Sequence, residues 1–463
     1  MIWDAIVINR ATIGETWNGL RQQLRRLPIL NRVSKLFSRC QLVIFSTIQR
    51  RIKALKSSAL YSQSNDISVN QLISLLCGDF SVLKRRFYAR KSWMVKSGKP
   101  YDGVTMYDDH RALLANKDID AVLISTPDHS HAYLGIHAVE AGKDVYLQKP
   151  ASLTIAEGRA LSNAVHRTGR ILQIGSQQRS STQFRYAAEL VRNGRIGDLK
   201  TVYVGLPGDP GGDEEPEMPI PKNLNYDAWL GSTPNVYYTE KRVHPQNDYS
   251  RPGWLRMEQF GAGMITGWGA HHVDCAHWGM DTEYTGPIEI SGRADFPKSG
   301  LWNVHGLFQT EGVYANGVKM IISNEIPNGI KFEGTEGWIF VTRGDYRASA
   351  SDPIPTGKNK VLPLTASNNK IITSVIGENE INLYKSTDQH GNWLESIVSR
   401  KQPISPVEIG HRSCSTCLLH HIAMKLKRKI YWDPMNERFL NDDEANAMLN
   451  RPHRFPYEVK GLD

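Results

Sequence analysis

At 463 residues, 40% of them apolar and 22% charged, the chain is long enough for two or more domains with buried cores, and its composition excludes global disorder. Five cysteines in such a length argue against a disulfide framework. No run approaches the roughly 18 apolar residues of a spanning helix, and the amino terminus lacks the order of a signal peptide, so a cytoplasmic protein without membrane contact is expected. The formal charge of +9 is unevenly placed: residues 1–100 hold 18 Lys+Arg against 4 Asp+Glu, and the rest hold 38 against 43.

From residue 1 to about 95 no alternation of strand, turn and helix emerges. Apolar patches lie among scattered Arg and Lys, and only Gly14, Gly19 and Gly78 precede residue 98. Such disagreement between local pattern and any one fold sets residues 1–95 apart as an atypical basic segment.

From Gly98 the signals agree. Residues 107–116 read as a helix. The run from Asp120 to Thr126, rich in Val and Ile and stopped by Pro127, reads as a strand buried on both faces of a parallel sheet. His131 to Ala141 reads as a helix closed by Gly142, and Asp144 to Leu147 as the next strand, a right-handed strand–helix–strand crossover. Thr154 and Glu157 form a capping box ahead of a helix that ends at Gly169, and Ile171 to Gly175 is a third buried strand. Ser125, Thr126, Asp128, His129 and His131 crowd the carboxyl end of the first strand, Gln148 and Lys149 that of the second, and Gln177, Gln178 and Arg179 that of the third. In open α/β sheets this edge is where ligands bind.

A second domain is expected from residue 180 to 463, with residues 96–179 completing the first. Residues 184–191 read as a helix and 199–204 as a strand, followed by a Pro- and Gly-rich excursion over 206–224. Further strands are expected at 288–296, 304–309, 318–323 and 338–342, with hairpin turns at Asn316-Gly317 and Asn328-Gly329. Meandering strands predict a mostly antiparallel sheet. Helices at 392–400, 411–427 and 442–450 complete the chain. Cys414 and Cys417 stand three apart in a helical pattern and read as packing residues; no metal site is expected. Gly261-Ala-Gly263-Met-Ile-Thr-Gly267 mimics a dinucleotide fingerprint, but no β-rich strand precedes it, so it reads as a lead into His271.

Asp118-Ile-Asp-Ala-Val with Ser125-Thr-Pro and His131, then Gln148-Lys149-Pro150, Asn193-Gly-Arg-Ile-Gly197 and Gly269-Ala-His271-His-Val-Asp274, resemble the Gfo/Idh/MocA oxidoreductases over residues 98–463. The resemblance implies an NAD(P)-binding Rossmann-like domain, with a doubly wound parallel sheet, followed by an α/β domain whose large open, mostly antiparallel sheet binds sugars or cyclitols. It further implies NAD or NADP as cofactor, a sugar or polyol substrate and self-association through the second sheet. The lysine role of the family falls on Lys149, beside nicotinamide ribose and substrate, and the acid/base role on His271. Ser125, Thr126, Pro127, His131, Gln148 and Gln177 are then cofactor neighbours, and Arg179 and Asp274 join Lys149 and His271 on the substrate.

The chemistry supports those two roles independently. Alcohol oxidation requires loss of a hydroxyl proton, for which a histidine suits neutral pH, and a lysine stabilises alkoxide character at the same oxygen. The implied activity is oxidation of a secondary hydroxyl; an NAD-dependent glycosidase and a non-catalytic sugar-binding protein are the alternatives.

Three departures from the family pattern stand out. Gly267 occupies the place of an aspartate four residues before His271, so Asp274 or another carboxylate must substitute. Gln148 replaces the commoner glutamate, keeping an acceptor without its charge. Residues 45–65, where a glycine-rich phosphate turn belongs, contain no glycine. For residues 1–95 a wrong reading frame or gene start is therefore expected, with a basic nucleic-acid-binding domain as its rival; nucleic acid is otherwise not an expected partner.

Overall fold

The computed structural model describes residues 105, 107–243, 253–344 and 362–462. The expectations for residues 1–95 lie outside the described residues.

The first half is built on three parallel strands, β1 (Ala121–Ile124), β2 (Asp144–Leu147) and β3 (Leu172–Ile174), in that spatial order. All three are buried along their whole length, including the polar Asp144 of β2 and Gln173 of β3. Helix α1 (His110–Ala115) precedes them, α2 (His131–Glu140) joins β1 to β2, and α3 (Ile155–Thr168) joins β2 to β3. The start of α3 is fixed by the expected capping box: Thr154 accepts from the Glu157 amide at 3.2 Å and Glu157 accepts from the Thr154 amide at 3.2 Å. Gly169 ends it at φ 62°, where a side chain would be strained.

After α4 (Thr182–Arg192) the chain enters the second half with β4 (Leu199–Gly205). Helices α5 (Met264–Gly267) and α6 (Gly269–Met280) follow, then β5 (Glu289–Ala294), β6 (Phe308–Val313), β7 (Lys319–Ser323), β8 (Gly329–Gly334), β9 (Trp338–Val341) and β10 (Leu364–Ala366). The long helices α7 (Gln389–Ser399) and α8 (Val407–Leu426) precede the edge strands β11 (Ile430–Asp433) and β12 (Arg438–Phe439). Spatial order in the nine-stranded sheet is β10-β9-β8-β4-β7-β6-β5-β11-β12. Every neighbouring pair is antiparallel except β4 with β7, which is parallel.

Two local expectations change. Asn316-Gly317 does turn a hairpin between β6 and β7, with Gly317 at φ 79°. Asn328-Gly329 does not, because β4 lies between β7 and β8 and the chain must cross it. The strand expected at 304–309 begins only at Phe308, since the amides of Asn303 and Val304 donate to the Arg256 carbonyl at 3.0 and 3.2 Å and not to a ladder.

One face of the large sheet is apolar. Val202, Val204, Met320, Ile322, Ile330, Phe332, Ile339 and Val341 are buried in the main core together with Val273 and Ala276 of α6 and Leu419 and Ala423 of α8. The two halves interlock. Trp393 and Ile397 of α7 pack with Ala121, Leu123 and Tyr146 of the parallel sheet, and the Ile174 amide of β3 donates to Ser405 at 2.8 Å. The carboxyl-terminal half therefore covers a face and an edge that the short parallel sheet would otherwise leave open.

Candidate active site

The carboxyl ends of β1, β2 and β3 converge on α5 and α6. Ser125 and Thr126 follow β1 with hydroxyl oxygens that are shielded from solvent and have no hydrogen-bond partner among the described residues. Behind Pro127 a single turn of 3-10 helix spans Asp128–Ser130. His131 then ties two strand ends together: its Nδ1 meets the Pro150 carbonyl at 2.6 Å and its Nε2 the Thr126 carbonyl at 2.8 Å. Burial pushes this imidazole down to about 4, against the pull of those two carbonyls.

Lys149 follows β2, and its peptide with Pro150 is cis. Its ammonium donates to the carbonyl of Gly267 at 2.6 Å, on the turn that leads into α6. The first half's lysine is thus seated on the backbone beside His271. Gln148 lies against Gly175, where an added Cβ would come within 2.8 Å of its Oε1. Gln177 opens the short helix after β3, its amide donating to the Gly175 carbonyl at 2.9 Å.

His271 is 7% exposed and its Nδ1 has no hydrogen-bond partner among the described residues. Burial drives its pKa well below the ordinary histidine range, and the cations of Arg343 and Lys149 drive it the same way. The imidazole is therefore neutral at physiological pH. Gln178 braces it from behind: with its amide turned to satisfy both ends, the nitrogen donates to the His271 carbonyl at 3.0 Å and to His272 Nδ1 at 3.2 Å, while the oxygen accepts from Arg343 Nε at 3.1 Å. His272 completes its own bonding with Asn328 Oδ1 at 2.9 Å. Arg343 stacks over Trp268 with 4.5 Å between guanidinium carbon and ring centre.

Arg179 and Asp274 are bonded to each other. The guanidinium Nε donates to Asp274 Oδ2 at 2.6 Å and Nη2 to Oδ1 at 3.0 Å, both side chains being almost wholly buried. Nη1 donates to Glu283 at 2.6 Å, and the guanidinium lies 4.9 Å over Trp278. Although burial disfavours the charge, Asp274 and Glu283 outweigh it and hold Arg179 above its ordinary range. Arg179 and Asp274, expected beside the substrate, form a buried ion pair with each other. The same geometry commits Asp274 to Arg179 and so away from the role of the carboxylate absent at Gly267.

Sequence reasoning assigned no role to Gln178, Trp268 or Arg343. Gln178 was visible in the polar group after β3, but Arg343 gave no signal, because it follows β9, far from His271 in sequence. Among the described residues no group of three or more His, Cys, Asp or Glu is placed to hold a metal, and no helix is long and apolar enough to cross a membrane.

NAD can be tested against this geometry. Two shielded hydroxyls without partners among the described residues, the Gln148 amide packed against Gly175 and a lysine at the same edge are donors and acceptors suited to a ribose and a carboxamide. The residues present fit the nicotinamide half of the cofactor.

Comparison with known proteins agrees. Residues 92–176 match the oxidoreductase-family model for the NAD-binding Rossmann fold, and residues 209–459 match that for the family's C-terminal alpha/beta domain. Scyllo-inositol 2-dehydrogenase (NAD(+)) of Bacillus subtilis is 35% identical over 96 residues, 21% of this chain and 28% of that protein. The chain thus aligns with less than a third of the length of that relative. The 1,5-anhydro-D-fructose reductase of Ensifer adhaerens is 23% identical over 228 residues, 49% of this chain and 57% of that protein. Among solved structures, the WlbA dehydrogenase of Chromobacterium violaceum, in complex with NADH and UDP-GlcNAcA, superposes with a TM-score of 0.50 at 14% identity, covering 75% of this chain and 86% of that one, a likeness of fold. With a family model spanning more than half its length, the chain belongs to the Gfo/Idh/MocA oxidoreductases, as an NAD-binding Rossmann domain joined to the family's C-terminal alpha/beta domain.

Proposed function

We propose that the chain oxidises a secondary hydroxyl of a sugar, polyol or cyclitol, using NAD or NADP. The observation that carries this reading is the 2.6 Å hydrogen bond from Lys149 to the Gly267 carbonyl, which brings the lysine of one half beside the histidine of the other at the carboxyl edge of the parallel strands.

The bound nicotinamide supplies the hydride acceptor. The protein's part is to hold the alcohol and move its proton. His271, neutral and with Nδ1 uncommitted, takes the hydroxyl proton as the hydride leaves the same carbon. Lys149 donates to the substrate oxygen and stabilises alkoxide character as it develops. Ser125 and Thr126 offer their hydroxyls to the cofactor, while Pro127, His131, Gln148 and Gln177 shape the strand ends around it. Arg179 and Asp274 hold α6, and with it His271, in place. Inositol and anhydrosugar substrates in the names of the relatives support a polyhydroxylated substrate. Self-association through the open face of the large sheet belongs to the same reading.

Lys149→Ala tests it: turnover of a polyol panel with NAD is lost while the fold is kept, and a folded variant with full activity removes the assignment.

A further inference from the structure

The glycine-rich lead into His271 places both halves of the site. Helix α5 is a single turn, closed by the Gly267 amide on the Gly263 carbonyl at 2.9 Å and continued by the Trp268 amide on the Met264 carbonyl at 3.0 Å. At its end the Gly267 carbonyl accepts from Lys149 at 2.6 Å, and one residue on, the Trp268 carbonyl accepts from the His271 amide at 2.9 Å. Its start has no cap of its own, because Gly263 precedes it at φ 68° without a side chain. The acceptor comes instead from 55 residues earlier in the chain: Asp209 Oδ2 takes the Met264 amide at 2.6 Å. A Cβ at Gly263 would come within 2.6 Å of that same oxygen, so glycine is required there for the close approach as well as for the backbone angle.

We propose that Asp209 is a positioning residue of this site: by accepting from Met264, its carboxylate sets the α5 turn so that the Gly267 carbonyl meets Lys149 and α6 starts with His271 beside it. This rests on the roles given to Lys149 and His271 above.

The carboxylate stands on fixed backbone. Asp209 is 8% exposed, and the segment that carries it is fastened on both sides, by the Leu206 amide on the Ser323 carbonyl of β7 at 3.0 Å and by the Leu301 amide on the Asp213 carbonyl at 3.0 Å. A turn of four residues has too few internal bonds to fix its own direction, so an external acceptor at one end decides where the carbonyl at the other end points. A bond to an ionised acceptor is about twice as strong as one between neutral groups, which suits it to that task. Small errors are costly at such a place, since a displacement of about 1 Å can lower a rate by about a hundredfold.

The test uses the full chain without cofactor or substrate. Lysines are labelled competitively with acetic anhydride and followed by mass spectrometry. The exposed Lys401 is the reference for reagent, and the buried Lys143, whose ammonium donates to the Asn116 and Ile119 carbonyls at 2.7 and 2.8 Å, is the reference for fold. Asp209→Ala is expected to raise Lys149 labelling about fivefold or more with Lys143 unmoved, as the ammonium loses its carbonyl. Asp209→Asn, which keeps an acceptor for the Met264 amide, is expected to stay within about twofold of the parent chain. Unchanged Lys149 labelling in Asp209→Ala, or a rise that Asp209→Asn shares in full, overturns the proposal. Should Lys143 rise too, the alanine variant has lost its fold and hydrogen exchange of the Met264 amide in Asp209→Asn decides: exchange about fivefold faster than in the parent chain is expected from the neutral acceptor, and an unchanged rate overturns the proposal. No readout depends on turnover, so a Lys149→Ala variant that stays active defeats the functional reading while leaving the Asp209 result intact.

Discussion

Replacing Asp274 by Asn distinguishes the two roles this residue has been given. Arg179 and Asp274 have side-chain exposures of 2% and 1%, and two guanidinium nitrogens bond the carboxylate at 2.6 and 3.0 Å. Removing one partner of such a pair leaves a buried charge uncompensated, which costs about 3–5 kcal/mol. Glu283 still holds Nη1 at 2.6 Å, so the lower end, about 3 kcal/mol, is expected. With a urea m-value of about 3 kcal/mol per M, the midpoint falls by about 1 M. Unfolding is followed by tryptophan fluorescence and far-UV circular dichroism together, so that separate unfolding of the two halves would be visible. If Asp274 instead binds substrate, its midpoint barely moves while the KM for the polyol rises; that outcome refutes the buried-pair account.

Other consequences concern the seam between the halves. Glu408 on α8 accepts from Arg159 of α3 at 2.8 and 2.9 Å and from Ser162 at 2.7 Å. Burial pushes this carboxyl up, but those bonds outweigh it and hold it at about 2, below its ordinary 4.5. A folded-state value below the unfolded one gives stability that is present above about 4.5 and lost as pH falls towards 2, here up to about 3 kcal/mol. Urea midpoints taken through that acid window should fall steeply in the parent chain and much less in Arg159→Met; parallel curves contradict the link. Gly410→Ala puts a Cβ within 2.4 Å of Ile174 Cγ1 and should cost about 1–3 kcal/mol by overpacking, read as a lowered thermal midpoint. A variant as stable as the parent denies the contact between α8 and β3.

The three parallel strands, the crossover helices and the capped start of α3 were legible because local pattern alone specifies them: short apolar-rich runs, a capping box, and glycine at a helix end. Lys149 and His271 were singled out by motifs alone. What escaped depends on contacts far apart in sequence. Asn328-Gly329 carries a hairpin signal, yet β4, laid down more than a hundred residues earlier, takes the central place beside β8. Arg179 and Asp274 looked like site residues because each is polar and near a motif, and only their mutual geometry shows that they consume each other's hydrogen bonds.

The account is tested most directly by following NADH absorbance when the full chain is given NAD and a panel of inositols, aldoses and polyols, beside folded Lys149→Ala and His271→Ala. Turnover of at least one secondary alcohol by the parent chain, lost in Lys149→Ala and lowered by about a hundredfold or more in His271→Ala, is the predicted result. Undiminished turnover in both variants would contradict it.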